Sequence, residues 1–137
     1  MLFRSDRPEA LPGRTYKVKW PDSEHAIYIT INDVVMESRR RPFEVFINSK
    51  NMEHYAWTVA LTRMISAVFR RGGDVSFVVE ELKAVFDPRG GQWMDGKYVP
   101  SLLAALGEVF CKLRGPCFFG SARVLQRAHL FFTLRVL

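Results

Sequence analysis

Residues 7–17, RPEALPGRTYK, together with residues 42–47, PFEVFI, decide the fold of this chain. Pro8 and Pro12 fix φ at their own positions and lack a backbone N–H, so the first stretch suits neither a helix nor the centre of a sheet. Each proline also favours an extended conformation at the residue before it. We therefore predict an extended N-terminal arm over residues 1–14, while the alternation in the second stretch predicts a strand.

Three β-strands are predicted after the arm, over residues 15–20, 26–32 and 43–47. Isoleucine at every second position of the middle segment gives that strand one apolar face. Residues 21–25 contain Pro and Asp, which favour a turn, so this short connection predicts an antiparallel hairpin. Residues 33–41 are predicted to form a connection. The result is a three-stranded antiparallel sheet with one face that requires cover.

Three helices are predicted to provide this cover, over residues 52–71, 75–85 and 100–110. Asn51 and Asp74 are suited to cap the first two, because their side chains accept hydrogen bonds from backbone N–H groups. A pair of glycines ends the first helix. Its predicted buried stripe consists of Ala56, Val59, Ala60, Leu61, Met64, Ile65 and Val68.

The predicted fold class is α+β, a three-stranded antiparallel sheet packed against about three helices. A length of 137 residues and a hydrophobic content of 48% suit one domain with its own core. The predicted organisation is the arm, an α+β domain over residues 15–110 that contains a loop at residues 92–99, and a basic and hydrophobic tail over residues 111–137.

The chain carries a net charge of +6 and has a pI near 9.7. This charge permits contact with nucleic acid, nucleotides or an acidic protein face, and it does not choose between them. Glu44 is predicted to pair with one of the arginines. The candidates for binding phosphate or an acidic partner are Arg39, Arg40, Arg41, Arg63, Arg70 and Arg71.

No apolar run of about 18 residues is present, so no transmembrane helix and no membrane partner are expected. The first residues also lack the apolar segment of a signal peptide. A cytoplasmic location is the resulting expectation.

No catalytic or metal-binding constellation is found in the sequence. His25, His54 and His129 lie in different predicted elements and lack metal-ligand spacing. Cys111 and Cys117 are too few for a disulfide framework or a zinc site, so both are predicted to be free, reduced thiols. We therefore predict no catalytic residue, no metal site and no cofactor bound by this chain.

The tail over residues 111–137 contains five Lys and Arg residues, one His and no acidic residue. One interpretation is an amphipathic strand or helix that docks on the domain or on a second copy, which would make a homodimer. Another is a tail translated out of its ancestral reading frame. Because an exposed Phe- and Leu-rich tail promotes association, we expect it to be covered.

Three segments together resemble a known family: RPEALPGRTYK at residues 7–17, PFEVFINS at residues 42–49 and ALTRMISAVFRRGGD at residues 60–74. They are similar to the TSCPD domain, the C-terminal accessory domain of adenosylcobalamin-dependent (class II) ribonucleotide reductases. That domain also occurs as a separate small subunit-like protein beside a split large subunit. The resemblance covers roughly residues 7–110.

The sequence departs from the family where its Thr-Ser-Cys-Pro-Asp run is expected. Residues 97–101 read KYVPS, so Pro100 is the one residue of that run that remains. A role that family members assign to the cysteine or the aspartate therefore does not carry over to Val99 or Ser101.

The resemblance implies a non-catalytic accessory protein that binds the large subunit of a class II ribonucleotide reductase. Adenosylcobalamin and catalysis would then belong to that partner chain. The implied partner-binding residues lie in and just after the arm: Arg7, Pro8, Glu9, Arg14 and Tyr16. The alternative for the arm is that it folds back on its own domain.

A rival prediction follows from the charge balance and the lost Cys and Asp. It is a stand-alone basic module that binds nucleic acid or phosphorylated ligands, or that inhibits or regulates another protein complex.

Overall fold

The computed structural model describes residues 6–50, 53 and 55–112, and shows a three-stranded antiparallel sheet, a small two-stranded sheet and three helices. This architecture confirms the predicted α+β class. The elements in chain order are β1 (Gly13–Val18), β2 (Ile27–Met36), β3 (Arg39–Ser49), α1 (Tyr55–Arg71), α2 (Ser76–Lys83), β4 (Gln92–Met94), β5 (Lys97–Val99) and α3 (Leu102–Lys112).

Some predicted features lie outside the described residues. These are the Asn51 cap, His54, and the tail after Lys112 with its Cys117. Within the described part, β1 begins two residues earlier than predicted, and α3 ends two residues later.

The large sheet has the strand order β1-β2-β3, and each neighbouring pair is antiparallel. Ile29 of β2 lies opposite Tyr16 of β1 and Ile47 of β3, which fixes the register of the sheet. An irregularity between Asn32 and Asp33 shifts the register near the far end of β2. Ile29 is fully buried, because the isoleucine face of β2 points toward the helices as its alternation predicts.

A tight turn at Glu37 and Ser38 joins β2 to β3. Both residues have positive φ values, of 51° and 62°, and a two-residue turn of this kind matches the twist of hairpin strands. The prediction of a connection over residues 33–41 was therefore wrong, because both strands continue through it. Neither turn residue is Gly or Asn, which usually mark such a hairpin.

The helix α1 exists as predicted, but its buried face differs from the predicted stripe. Thr62, Ile65, Ser66 and Phe69 are buried, whereas Met64 is exposed together with Ala56 and Ala60. Of the remaining stripe residues, Val59, Leu61 and Val68 are half-buried. The helix is rotated about its axis relative to the predicted orientation, because the Ser66 hydroxyl bonds to the backbone of Val45 at the edge of β3.

The short helix α2 packs against α3 on the core side of the sheet. A hairpin of β4 and β5 precedes α3, where a loop was predicted; its turn contains Asp95 and Gly96, which both have positive φ. Ser101 caps α3, because its hydroxyl accepts a bond from the N–H of Ala104 at 3.0 Å. The predicted helix start at Pro100 thus lies just before the cap.

Asp74 contributes to the start of α2 in a different way from a simple cap. Its carboxylate accepts a bond from the N–H of Ser76 at 2.9 Å, while Val75 occupies the cap position. Among the helices that the structure describes, none has the length and apolar character to cross a membrane.

Candidate functional site

A buried carboxylate organises one end of the sheet. Glu44 of β3 is only 1% exposed, although it lies on the sheet face that points away from the helices. Arg7 donates to Glu44 from Nη2 at 2.8 Å and from Nε at 3.0 Å, and Asn32 Nδ2 donates at 2.8 Å. Arg70 Nη2 adds a longer bond of 3.3 Å. We call these four residues the Glu44 cluster.

The electrostatics of the Glu44 cluster favour the ionised carboxylate. Burial opposes ionisation, but the bonds from Arg7 and Asn32 and the positive charges of Arg7 and Arg70 outweigh it. The pKa of Glu44 is therefore below its ordinary value. A carboxylate that is held ionised by several donors acts as an anchor for its partners, and it is poorly suited to proton transfer near neutral pH.

The anchor holds the described part of the N-terminal arm, from Arg7 onward, on its own domain. Arg7 also donates from Nη1 to the carbonyl oxygens of Pro8 and Glu9, at 2.8 and 3.3 Å. Pro12 accepts a bond from the N–H of Asp33 at 2.8 Å, which continues the pairing beyond β1. Arg7 is thus tied to Glu44 although its side chain is 45% exposed, and the extended arm over residues 1–14 stays a prediction.

The other predicted arm residues differ in accessibility. Pro8, Glu9 and Arg14 are exposed, while Tyr16 is half-buried in β1. Contact of these residues with a partner stays a prediction.

The predicted basic set does not form one cluster. Arg40 pairs with Asp33 at 2.6 Å on the β2–β3 hairpin, and Arg41 reaches the carbonyl oxygen of Gly73 after α1 at 3.5 Å. Arg70 belongs to the Glu44 cluster and also lies over the ring of Phe43, 5.1 Å from its centroid. Arg39, Arg63 and Arg71 are exposed. Binding of phosphate or an acidic partner by these arginines stays a prediction.

A groove of about 480 Å³ separates the edge of β3 from α1. Ser66 lines this groove, and its hydroxyl accepts from the N–H of Val45 at 3.0 Å and donates to the carbonyl oxygen of Val45 at 3.3 Å. The lining residues are Val45, Phe46, Ile47, Asn48, Tyr55, Val59, Thr62, Arg63, Ser66, Ala67 and Arg70. Sequence reasoning missed the groove, since the pairing of a helix with a strand edge leaves no local pattern.

Two of the exposed apolar surfaces of the domain lie on α1 and on the large sheet. On α1, Trp57 is 79% exposed and Met64 is 66% exposed, and Ala60 lies between them on the same side of the helix. We call these three residues the α1 outer face. On the sheet, Tyr28 and Phe46 are 44% and 46% exposed. Large exposed apolar side chains that adjoin one another mark binding surfaces more often than isolated ones do.

Residues 97–101, the position of the family's Thr-Ser-Cys-Pro-Asp run, have structural contacts in this chain. Val99 is buried in the core as the last residue of β5. Ser101 is also buried, donates to the carbonyl oxygen of Val85 at 2.7 Å, and caps α3. Ser and Asp are both strong helix caps, so Ser101 can fill the capping role that an aspartate would have at this position.

No group of three or more His, Cys, Asp or Glu residues suited to holding a metal ion occurs in the part of the chain that the structure describes. Cys111 is a free, half-buried thiol on α3.

The family model for the TSCPD domain matches residues 3–112. The match extends to the last residue of α3 and includes residues 3–14 of the arm, the Glu44 cluster and the α1 outer face. Comparisons with curated proteins and with solved structures gave no match.

Proposed function

Because the chain belongs to the TSCPD domain family, a domain found in cobalamin-dependent ribonucleotide reductases, we propose that it is a non-catalytic accessory protein. Its partner is the large catalytic chain of such a reductase, which this chain binds as a small subunit would. The family match over residues 3–112 is the observation that carries the proposal.

The α1 outer face is the surface that we propose for this contact. Trp57 and Met64 project from a helix whose opposite side is buried against β3, so they are held on a rigid element. Trp is enriched among the residues that dominate binding energy in protein interfaces, and Met adapts well to irregular apolar surfaces. Their exposure supports a partner that covers them.

The arm supplies a second proposed contact. Arg7 positions it on the Glu44 cluster, which leaves Pro8, Glu9 and Arg14 exposed toward a partner. An arm that is already ordered loses little conformational entropy when it binds, and this strengthens the contact.

We propose that adenosylcobalamin is held by the partner chain. The groove beside β3 does not fit this cofactor. Its volume of about 480 Å³ suits a drug-sized molecule, whereas a corrin with its nucleotide loop and adenosyl group is much larger. The lining of the groove also includes no His, Cys or carboxylate side chain for a metal ion. A complex with a reductase would place the chain in the cytoplasm.

The test is direct binding of the purified full-length chain to the purified large cobalamin-dependent chain from the same cells, measured by biolayer interferometry. We expect the double substitution of Trp57→Ser with Met64→Ser to weaken binding by roughly 30-fold or more, as loss of interface hot spots does. Phe86→Ser is the matched control, since it removes another exposed aromatic residue from a different part of the domain. Arg14→Ala tests the arm separately.

Two outcomes would refute the proposal. The first is an absence of binding when the circular dichroism spectrum shows a folded chain. The second is a homodimer that the Trp57 and Met64 substitutions dissociate, because the α1 outer face would then be occupied by a second copy.

A further inference from the structure

Within residues 6–50, 53 and 55–112, much of the outer face of the three-stranded sheet is uncovered. Backbone alternation places Thr15 and Lys17 of β1, Tyr28 and Thr30 of β2, and Phe46 and Asn48 of β3 on this face, opposite to the core. All six are exposed or half-buried. Among the described residues, the arm and the Glu44 cluster cover the end of the face near Asn32. We call the six residues the sheet platform.

The two aromatic rings of the sheet platform lie on adjacent strands. Tyr28 is opposite Asn48, and Phe46 is opposite Thr30, so the two rings are diagonal neighbours. Diagonal positions across antiparallel strands are roughly 7–8 Å apart, within reach of aromatic side chains. The platform therefore presents two partly exposed aromatic side chains at diagonal positions on adjacent strands.

The surroundings of these rings are polar and cationic. Lys17 lies directly opposite Tyr28 on β1, and Arg63 of α1 lines the groove beside Phe46. Within the three strands, Glu44 is the one carboxylate at an outward position before the irregularity at Asn32, and Arg7 and Arg70 neutralise it. No aliphatic side chain occurs among the six platform residues.

Aromatic rings, cations and small polar groups on one sheet face are the features that bind unstacked bases and their phosphates. The absence of aliphatic residues distinguishes this surface from the α1 outer face, where Trp57 and Met64 favour a protein partner. We propose that the sheet platform binds single-stranded nucleic acid, with bases stacked on Tyr28 and Phe46 and phosphates close to Lys17 and Arg63. This activity is independent of reductase binding and uses a different surface.

Fluorescence anisotropy of the full-length chain with labelled single-stranded oligothymidylate and oligouridylate of about 12 nucleotides tests the proposal, since single-strand sites commonly span roughly 4–16 nucleotides. Tyr28→Ala and Phe46→Ala should each weaken binding by roughly 5- to 150-fold, the range for loss of one base–aromatic stack. Tyr28→Phe and Phe46→Tyr keep the ring and should retain affinity.

The phosphate contacts have their own signature. Lys17→Gln should reduce the slope of log affinity against log salt concentration by about 0.7 between roughly 50 and 200 mM salt, the value for one phosphate contact on a single strand. Phe86→Ala is the control, because it removes an exposed aromatic residue outside the platform. Thermal unfolding of each variant verifies that it is folded.

Three results would overturn the proposal. In the first, the double variant with Tyr28→Ala and Phe46→Ala binds the oligonucleotide as tightly as the wild type does. In the second, the chain binds duplex as tightly as single strands. In the third, free mononucleotide at the same nucleotide concentration competes fully with the oligonucleotide. Equal affinity of the double variant would show that bases do not stack on Tyr28 and Phe46. Tight duplex binding would indicate general electrostatic attraction, and full competition by mononucleotide would indicate a site for a single nucleotide.

Discussion

Ser66 satisfies the buried backbone groups of Val45 at the unpaired edge of β3, and its replacement by alanine is the sharpest test of how the domain is held together. The N–H and C=O groups of Val45 face away from β2 and both bond to the Ser66 hydroxyl, at 3.0 and 3.3 Å. A hydroxyl can donate one bond and accept others, so this one side chain satisfies both backbone groups. Ser66→Ala keeps the Cβ atom and removes both bonds.

The expected magnitude follows from burial. Val45 is 1% exposed, so water cannot easily replace the lost partner. An unsatisfied buried backbone group costs about 1–3 kcal/mol, and the carbonyl bond, which is the longer one, contributes at the low end. Alanine recovers about 0.5 kcal/mol through its better helix propensity. We therefore expect the free energy of unfolding to fall by about 2–3 kcal/mol.

Urea denaturation followed by circular dichroism measures this loss, and thermal unfolding should show a fall in Tm of roughly 8–12 °C, at about 4 °C per kcal/mol for a domain of this size. The matched control is Ser76→Ala, which preserves the backbone bond from Ser76 to Asp74. The opened strand edge should also promote association, visible by size-exclusion chromatography. A loss smaller than about 0.5 kcal/mol, typical of a surface substitution, would refute the reasoning.

The ionised form of Glu44 stabilises the fold because folding lowers the pKa of this carboxyl. Its contribution is complete above the unfolded pKa and disappears as the pH falls through the lower folded pKa, so Glu44→Gln should flatten the acid loss of stability below about pH 5. Denaturant titrations across this range measure the effect, and superimposable profiles would contradict it. Phe110→Ala should cost about 3–5 kcal/mol in calorimetry, because this buried ring packs edge-on against Phe69 with centroids 6.4 Å apart. Gly107→Ala should destabilise by about 1–2 kcal/mol despite the helix preference for alanine, because the added Cβ would lie 3.0 Å from the backbone nitrogen of Lys83. A more stable Gly107→Ala variant in the same denaturation assay would mean that α2 and α3 can separate at little cost.

The paired strands of the large sheet were predictable because their signal is local. Isoleucine at alternate positions of β2 can face only one side of a sheet, and Ile27, Ile29 and Ile31 are all buried in the structure. The turn between β2 and β3 was not predictable from the same evidence. Glu37 and Ser38 adopt left-handed conformations that their residue types rarely indicate.

The helix α1 shows the limit of what hydrophobic periodicity can predict. Apolar residues occur around most of its circumference, so the pattern predicts a helix but defines no single buried face. The structure buries Ser66 and leaves Met64 exposed, because the hydroxyl satisfies the edge of β3. The sequence therefore predicted the helix, and its orientation required knowledge of the neighbouring strand.

For the candidate surfaces too, some features were predictable from the sequence and others were not. The pairing of Glu44 with arginine was predicted, but neither of the two arginines that bind it, Arg7 and Arg70, could be selected beforehand. They are 37 and 26 residues away along the chain. The sheet platform was missed because Tyr28 and Phe46 become neighbours only through the register of β2 with β3.

By itself, the sequence determined the class of the fold, the identity of the isoleucine face and the existence of three helices, since these depend on the spacing of residues within a single element. Only the tertiary structure decided which face of α1 is buried, where the described part of the arm lies, and that Tyr28 and Phe46 are neighbours on the sheet. Those features depend on contacts between distant segments, and their energies are set by burial and by the satisfaction of backbone groups when the elements meet.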